Sequence, residues 1–269
     1  QNQISKGTNS IGDHGTLVSG IIAAEKDNDI GYTGIVNPKQ IYGLNFKDKT
    51  IGKERTKYIK DLCPHFDVIN ISLTLSSLAY RYKKEDYNEE LHLKVMDKWR
   101  RVFFSKECSD TTFVLSAGNS DVDAKKENGG IHYVKVYSSG EFEYRPLDNV
   151  VVVGAIQGDE ITQNYGESVD IYAPENVGGP KKVTSSGTSI YSIENNGTSF
   201  SAPQVTGTIA LIHREIRKNP KRLKEFLLYK ANLNNISKVR GKNNPTTSRP
   251  ILNIYEIVKE VVRVYGPPI

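Results

Sequence analysis

Cysteine is scarce in this 269-residue chain: Cys63 and Cys108 alone, too few for a disulfide-built scaffold or a zinc site of four cysteines. Long apolar runs are also missing. Val150–Val153 is typical of the longest, far short of the roughly 20 residues that a membrane-spanning helix needs. Charge of one sign is nearly balanced, with 36 Lys and Arg against 31 Asp and Glu, and the cations sit among acids, as in Lys83-Lys84-Glu85-Asp86. No basic stripe therefore supports nucleic-acid binding. No G-x-G-x-x-G follows a first strand and no Walker sequence occurs, which leaves a nucleotide site without support. His65, His92, His132 and His213 form no metal-ligand spacing. The first residue is Gln1 rather than Met, so the lack of a leader peptide bears on no compartment.

What is present is ordinary globular composition, 37% hydrophobic and 25% charged, in a length ample for a sizeable core. With no repeat, low-complexity tract or linker, residues 1–269 read as one domain. Strand-length, β-branched runs recur at Gln40–Phe46, Val68–Leu73, Thr111–Ala117, Asn149–Ala155 and Val169–Tyr172. Between and after them lie helical patterns at His14–Ala24, Lys53–Leu62, Glu89–Phe104, Ser199–Arg217, Arg222–Tyr229 and Asn253–Val264. Such alternation predicts an α/β fold of three layers, a mostly parallel twisted sheet with helices on both faces. Ile131–Tyr137, Ser138-Ser139-Gly140 and Glu141–Arg145 read as a β-hairpin inserted at the surface. Cys63 and Cys108 each stand five residues ahead of a strand residue, Val68 and Phe113. Two buried free thiols are the expectation, with a disulfide as the alternative if those strands are neighbours.

Ligands of parallel α/β sheets sit outside the carboxyl ends of the strands, and three segments place chemistry there. Gly12-Asp13-His14-Gly15-Thr16 presents an imidazole at a helix start. Val114-Leu115-Ser116-Ala117-Gly118-Asn119 ends a strand in a glycine and a carboxamide donor. Asn196-Gly197-Thr198-Ser199-Phe200-Ser201-Ala202-Pro203 sets a serine where a glycine loop enters a long helix, whose N–H groups and dipole favour developing negative charge. Singly, these read as a surface histidine, a turn residue and an N-cap serine. Together they are the parts for acyl transfer through a serine nucleophile.

His14-Gly15-Thr16 with Val18 and Gly20, Ala117-Gly118-Asn119, and Gly197 through Pro203 resemble, in order, the His, oxyanion-Asn and Ser motifs of the subtilisin-like serine proteases. The likeness continues through Ile30–Ile35, Asp67–Leu73, Val152–Ala155, Ile171–Pro174 and Ile251–Ile254. It implies the subtilisin-like fold and a serine endopeptidase acting on polypeptides, with Ser199 as nucleophile and His14 as general base. The Asn119 side chain and the Ser199 N–H would hold the oxyanion. Ser72, Leu73 and Thr74, with Ser116, Ala117 and Gly118 opposite, would flank an extended substrate that pairs as an added strand. No cofactor is required, and the resemblance leans towards secretion.

The family's third catalytic residue is an Asp ahead of the histidine, yet Gln1–Gly12 holds no acid and adjacent Asp13 is poorly placed to reach its imidazole. Losing that acid costs roughly 10⁴-fold in turnover in this family's own reference case. The expectation is that an upstream segment or separate fragment supplies it, so that residues 1–269 form an N-terminally incomplete domain. The alternatives are a catalytically inactive peptide-binding or interaction module, and an acid from elsewhere in the chain. Thr74 and Leu75 stand where the family usually has two glycines and would narrow the cleft. Insertions are expected near 76–110 and 120–148, the second replacing the segment that floors the main specificity pocket. Its Asp121, Asp123 and Glu127 read as a solvated loop, with attraction of a basic side chain as the other reading. Glu25-Lys26-Asp27-Asn28-Asp29 lies where many family members bind a structural calcium; a solvated acidic turn is the preferred reading. Asn235-Ile236-Ser237 is the one glycosylation pattern outside the proposed site.

Overall fold

A computed structural model describes residues 14–29, 31–38, 40–44, 54–76, 88–128, 130–138, 140–183, 189–192, 195–234, 238–239 and 249–266. The glycosylation pattern at Asn235, Asp13 and most of residues 76–87 lie outside them. The helices are α1 (His14–Ala23), α2 (Arg55–Leu62), α3 (Glu89–Phe103), α4 (Lys125–Asn128), α5 (Thr198–Leu211), α6 (Arg214–Arg217), α7 (Pro220–Lys230) and α8 (Ile254–Tyr265). The strands are β1 (Val68–Ile71), β2 (Thr112–Ser116), β3 (Tyr133–Ser138), β4 (Glu141–Pro146), β5 (Val150–Gln157), β6 (Glu160–Ile161), β7 (Ile171–Pro174), β8 (Gly179–Val183), β9 (Ser189–Ser192), β10 (Asn232–Asn234), β11 (Lys238–Val239) and β12 (Arg249–Ile251).

The main sheet runs β1-β2-β5-β7-β12-β10, parallel from β1 through β12, with β10 antiparallel at the edge, β6 attached to β5 and β11 to β6. Register follows from two-sided burial, because a slip of one residue would exchange the faces of every strand. Phe113 and Leu115 of β2, with Val150 and Val152 of β5, face a layer containing Ile59, Met96, Trp99 and Phe103. Val114, Val151, Val153 and Ile171 face the opposite layer, against Val205 and Ile209 of α5, Leu223 and Leu227 of α7 and Ile257 of α8. The result is the expected three-layer sheet with helices on both faces. Each fully buried side chain of this size contributes about 1.5–3 kcal/mol.

Several boundaries differ from the sequence reading. Gln40–Leu44, the described part of the expected first strand, is irregular: Gly43 interrupts it and only Ile41 and Leu44 are partly buried, so little apolar face holds it. The helix expected over Ser199–Arg217 breaks at Ile212, which takes an extended conformation, and restarts behind His213, whose side chain caps the Glu215 N–H. The hairpin is present as β3 and β4, and a second one, β8 with β9, lacked the alternating pattern that would announce it. Among the described residues no helix is long and apolar enough to cross a membrane.

Cys63 and Cys108 form a disulfide, not two free thiols, with Cα atoms 4.9 Å apart. The cause is the parallel pairing of Val68 with Thr112, which brings the segments entering β1 and β2 side by side. A second cross-link is ionic. Asp170, just ahead of β7, shares a 2.7 Å hydrogen bond with His132 and lies 2.8 Å from the Lys224 Nζ, and it accepts from the Val152 N–H at 2.8 Å. Burial pushes its carboxyl up. The hydrogen bond and charge of His132, with the charge and hydrogen bond of Lys224, outweigh that and leave it below the usual carboxylate range.

Candidate active site

Three of the sequence-predicted residues sit at one edge of the sheet. His14 is the first residue of α1, where Leu17 and Ile21 pack against Phe200, and its ring lies 5.5 Å from that of Phe200. Ser199, half-buried, is therefore next in sequence to the residue that α1 grips.

Pro203 explains how Ser199 is held. Proline has no N–H, so the carbonyl four residues back, that of Ser199, loses its helical donor. The Ser72 hydroxyl takes the place of that donor at 2.9 Å. In return the Ser199 hydroxyl donates to the Ser72 carbonyl at 3.4 Å, a long contact that a turn about χ1 would break. Ser72 is buried and touches Ser199 directly, whereas Leu73 and Thr74 line the cleft beyond it.

Asn119 is fixed by α5. The Thr198 N–H and the Thr198 hydroxyl both donate to its Oδ1, at 2.9 and 2.8 Å. An amide nitrogen cannot accept those bonds, so the orientation of the carboxamide is set by chemistry and its NH2 group is left as the donor. Gly197 is required here on two counts: its φ is +113°, and a Cβ would lie 2.9 Å from the Asn119 Nδ2. Its N–H donates at 2.8 Å to the buried carboxylate of Glu175, which anchors the serine loop from below. Gly118 in turn donates to the Thr198 hydroxyl at 3.1 Å.

A narrow cleft opens between the two segments that flank Ser199. Leu73, Thr74 and Leu75 form one wall, Ser116, Ala117 and Gly118 the other, and Met96, Glu127 and Asn128 its inner end. Leu75 also accepts the Trp99 indole N–H on its carbonyl at 3.1 Å, so the segment replacing the expected glycines is tied to α3. The solvated-loop reading of the insert fails for Glu127, which is 4% exposed. Asp121 stays at the surface, and Asp123 caps the Lys125 N–H at 2.9 Å. Among the described residues no three His, Cys, Asp or Glu side chains gather to hold a metal ion.

A family model described as the subtilase family matches residues 2–249. The chain belongs to the subtilase family. A curated subtilase relative, the thermophilic serine proteinase of Bacillus sp. (strain AK1), is 28% identical over 220 residues, 78% of this chain and 44% of that protein. The chain thus spans less than half the length of that relative. Among solved structures, the epidermin leader peptide processing serine protease of Staphylococcus aureus is 24% identical with a TM-score of 0.58, over 93% of this chain and 63% of the other. The prenylagaramide maturation protease PagA is 20% identical with a TM-score of 0.58, over 97% of this chain and 91% of the other. At these identities the structures share the subtilase fold with this chain, and the likeness carries no further than that.

Sequence reasoning missed Thr198, Glu175 and Asn164 as parts of the site. The buried Asn164 accepts the Ser120 N–H at 2.9 Å and donates to the Ala117 carbonyl at 2.9 Å, so it shapes the turn that presents Asn119. No local pattern marks it, since its side-chain partners lie 37 to 47 residues away in the chain.

Proposed function

We propose that this chain is a serine endopeptidase of the subtilase type. The observation that supports it best is the double anchoring of the Asn119 Oδ1 by Thr198, which commits the carboxamide NH2 to donation beside Ser199. In the proposed mechanism a polypeptide lies extended between Leu73-Thr74 and Ser116–Gly118. The Ser199 hydroxyl leaves the Ser72 carbonyl, gives its proton to His14 and attacks the scissile carbonyl. The Asn119 side chain and the Ser199 N–H, in the unpaired first turn of α5, receive the oxyanion. His14 returns the proton to the leaving amine, an acyl ester forms on Ser199, and water activated by His14 hydrolyses it.

The carboxylate that orients His14 in such enzymes is expected ahead of it, so the test uses the natural full-length polypeptide with any upstream segment it carries. Cleavage of a mixed peptide library, followed by mass spectrometry, should fall at least 10³-fold in Ser199→Ala and in His14→Ala. Peptide binding without any cleavage, unchanged in Ser199→Ala, would establish an inactive binding module instead.

A further inference from the structure

The hairpin of β3 and β4 carries side chains that the proposed chemistry does not use. Its register pairs Tyr133 with Pro146, Lys135 with Tyr144 and Tyr137 with Phe142, so strand alternation sets these six residues on one face. Val134 and Val136 point the other way, into the layer that contains Met96, Trp99 and Phe103. The outward face of such a hairpin is ordinarily polar. Here Tyr133, Tyr137, Phe142 and Tyr144 are instead 56%, 67%, 65% and 70% exposed. Tyr137 meets Phe142 edge to face at 5.2 Å, and the Lys135 Nζ lies 4.3 Å from the centre of the Phe142 ring. Among the described residues no ring of another element stacks on this face.

Four aromatic side chains exposed to this degree offer about 500 Å², and the Lys135 stem and Pro146 ring bring the face to about 600 Å². That is the upper end of the apolar patches found on monomers, and two such faces together make about 1,200 Å², the lower end of stable specific interfaces. The charges select the occupant. Glu141, Glu143 and Arg145 alternate to the other side of β4, where Arg145 donates to Glu143 at 2.6 Å. With Lys135 and Arg145 against Glu141 and Glu143 the hairpin has no net charge, so it does not attract an anionic bilayer or a phosphate backbone. The Tyr137 and Phe142 rings stand at 64° to each other, as knobs rather than a flat stacking platform. A second hairpin of the same kind fits them. A two-fold axis parallel to the strands, midway between β3 and β4, sets each β3 residue against the β4 member of its own rung in the other copy. Lys135 then meets Tyr144 of the partner subunit, Tyr137 meets Phe142 of the partner subunit, and Tyr133 meets Pro146 of the partner subunit. Each contact joins ring to ring, ring to proline or cation to ring, and no like charges meet. An axis across the strands would instead set Lys135 against its own copy.

We infer that the outer face of β3 and β4 is a self-association surface, through which two copies of this chain pair about a two-fold axis along the hairpin. The inference is independent of the peptidase reading, because it uses no residue of the candidate active site.

Sedimentation equilibrium tests it on the full-length protein, in the Ser199→Ala form to keep the chain intact. A reversible monomer–dimer equilibrium with Kd in the micromolar range is expected. Tyr137→Ser with Phe142→Ser should raise that Kd at least tenfold, with circular dichroism reporting that the fold is kept. Lys135→Glu, a milder change on the same face, turns a carboxylate towards the partner subunit's Tyr144 and should weaken pairing as well. Register is read by cross-linking. Oxidation of an equimolar mixture of Tyr137→Cys and Phe142→Cys proteins should give the mixed disulfide beyond the excess that random pairing gives. A protein that stays monomeric throughout the micromolar range overturns the inference, as does a dimer whose Kd ignores these substitutions. Disulfide homodimers of Tyr137→Cys that outnumber the mixed product overturn the two-fold arrangement.

Discussion

Replacing both Cys63 and Cys108 by alanine should lower the melting temperature by an amount the loop length sets. The bridge spans a sequence separation of 45 residues and encloses the whole of α3. Loop-closure entropy for that length gives about 4 kcal/mol of stabilisation through the unfolded state. With an unfolding entropy of about 2.1 cal/mol/K per residue, the 269-residue chain converts this into a Tm drop of about 7 °C. Calorimetry in the Ser199→Ala background keeps autolysis from making the transition irreversible. Both sulfurs are buried, Cys63 at 3% and Cys108 at 0% exposed, so a reductant should act only once the fold is opened by denaturant. Alkylation in denaturant without reductant should label neither cysteine. Two labelled thiols, or a Tm within 2 °C of the parent by the same estimate, would refute the reasoning.

Other perturbations test other joints of the structure. Asp170→Asn should cost about 2 kcal/mol in denaturant unfolding, because it leaves the partly buried Lys224 without its counter-charge and the Val152 N–H without its carboxylate acceptor. Since the folded pKa of Asp170 is lowered, its contribution is complete above the unfolded carboxylate value near pH 4 and is lost as pH falls through the folded one. Acid unfolding of the wild type should therefore steepen below about pH 4, and the variant should lack that component. Gly118→Ala should reduce peptide cleavage about 10²-fold or more, since its Cβ meets the Glu127 carboxylate and Asn164 at a left-handed φ. Thr198→Val removes one of the two donors that orient Asn119; kcat should fall roughly tenfold with little change in KM.

The parts of the fold that were legible in the sequence are those with local causes. Val150–Val153 announces a buried strand because both of its faces are covered, and the apolar stripe of Ile254–Tyr265 announces a helix because one face is. The candidate site was legible for the same reason, since His14, Asn119 and Ser199 each sit in a short glycine-bearing motif at the end of a strand or the start of a helix. What stayed hidden depends on partners remote in the chain. The disulfide follows from the register of β1 on β2, and the burial of Glu127 depends on Gly118 and Asn164. Ser72 reads as a substrate contact in the sequence, and nothing local announces the further tie of its hydroxyl to the Ser199 carbonyl that Pro203 leaves unpaired. The run at Gln40–Leu44 shows the converse: strand composition without a covered face does not make a strand.

The account turns on Ser199 being an activated nucleophile. Intact-mass analysis of the full-length protein after treatment with a fluorophosphonate tests this most directly. The account predicts a single covalent adduct, mapped by peptide sequencing to Ser199 and abolished in His14→Ala. Full-length, folded protein that takes up no adduct at Ser199, or an adduct that forms equally well without His14, would contradict it.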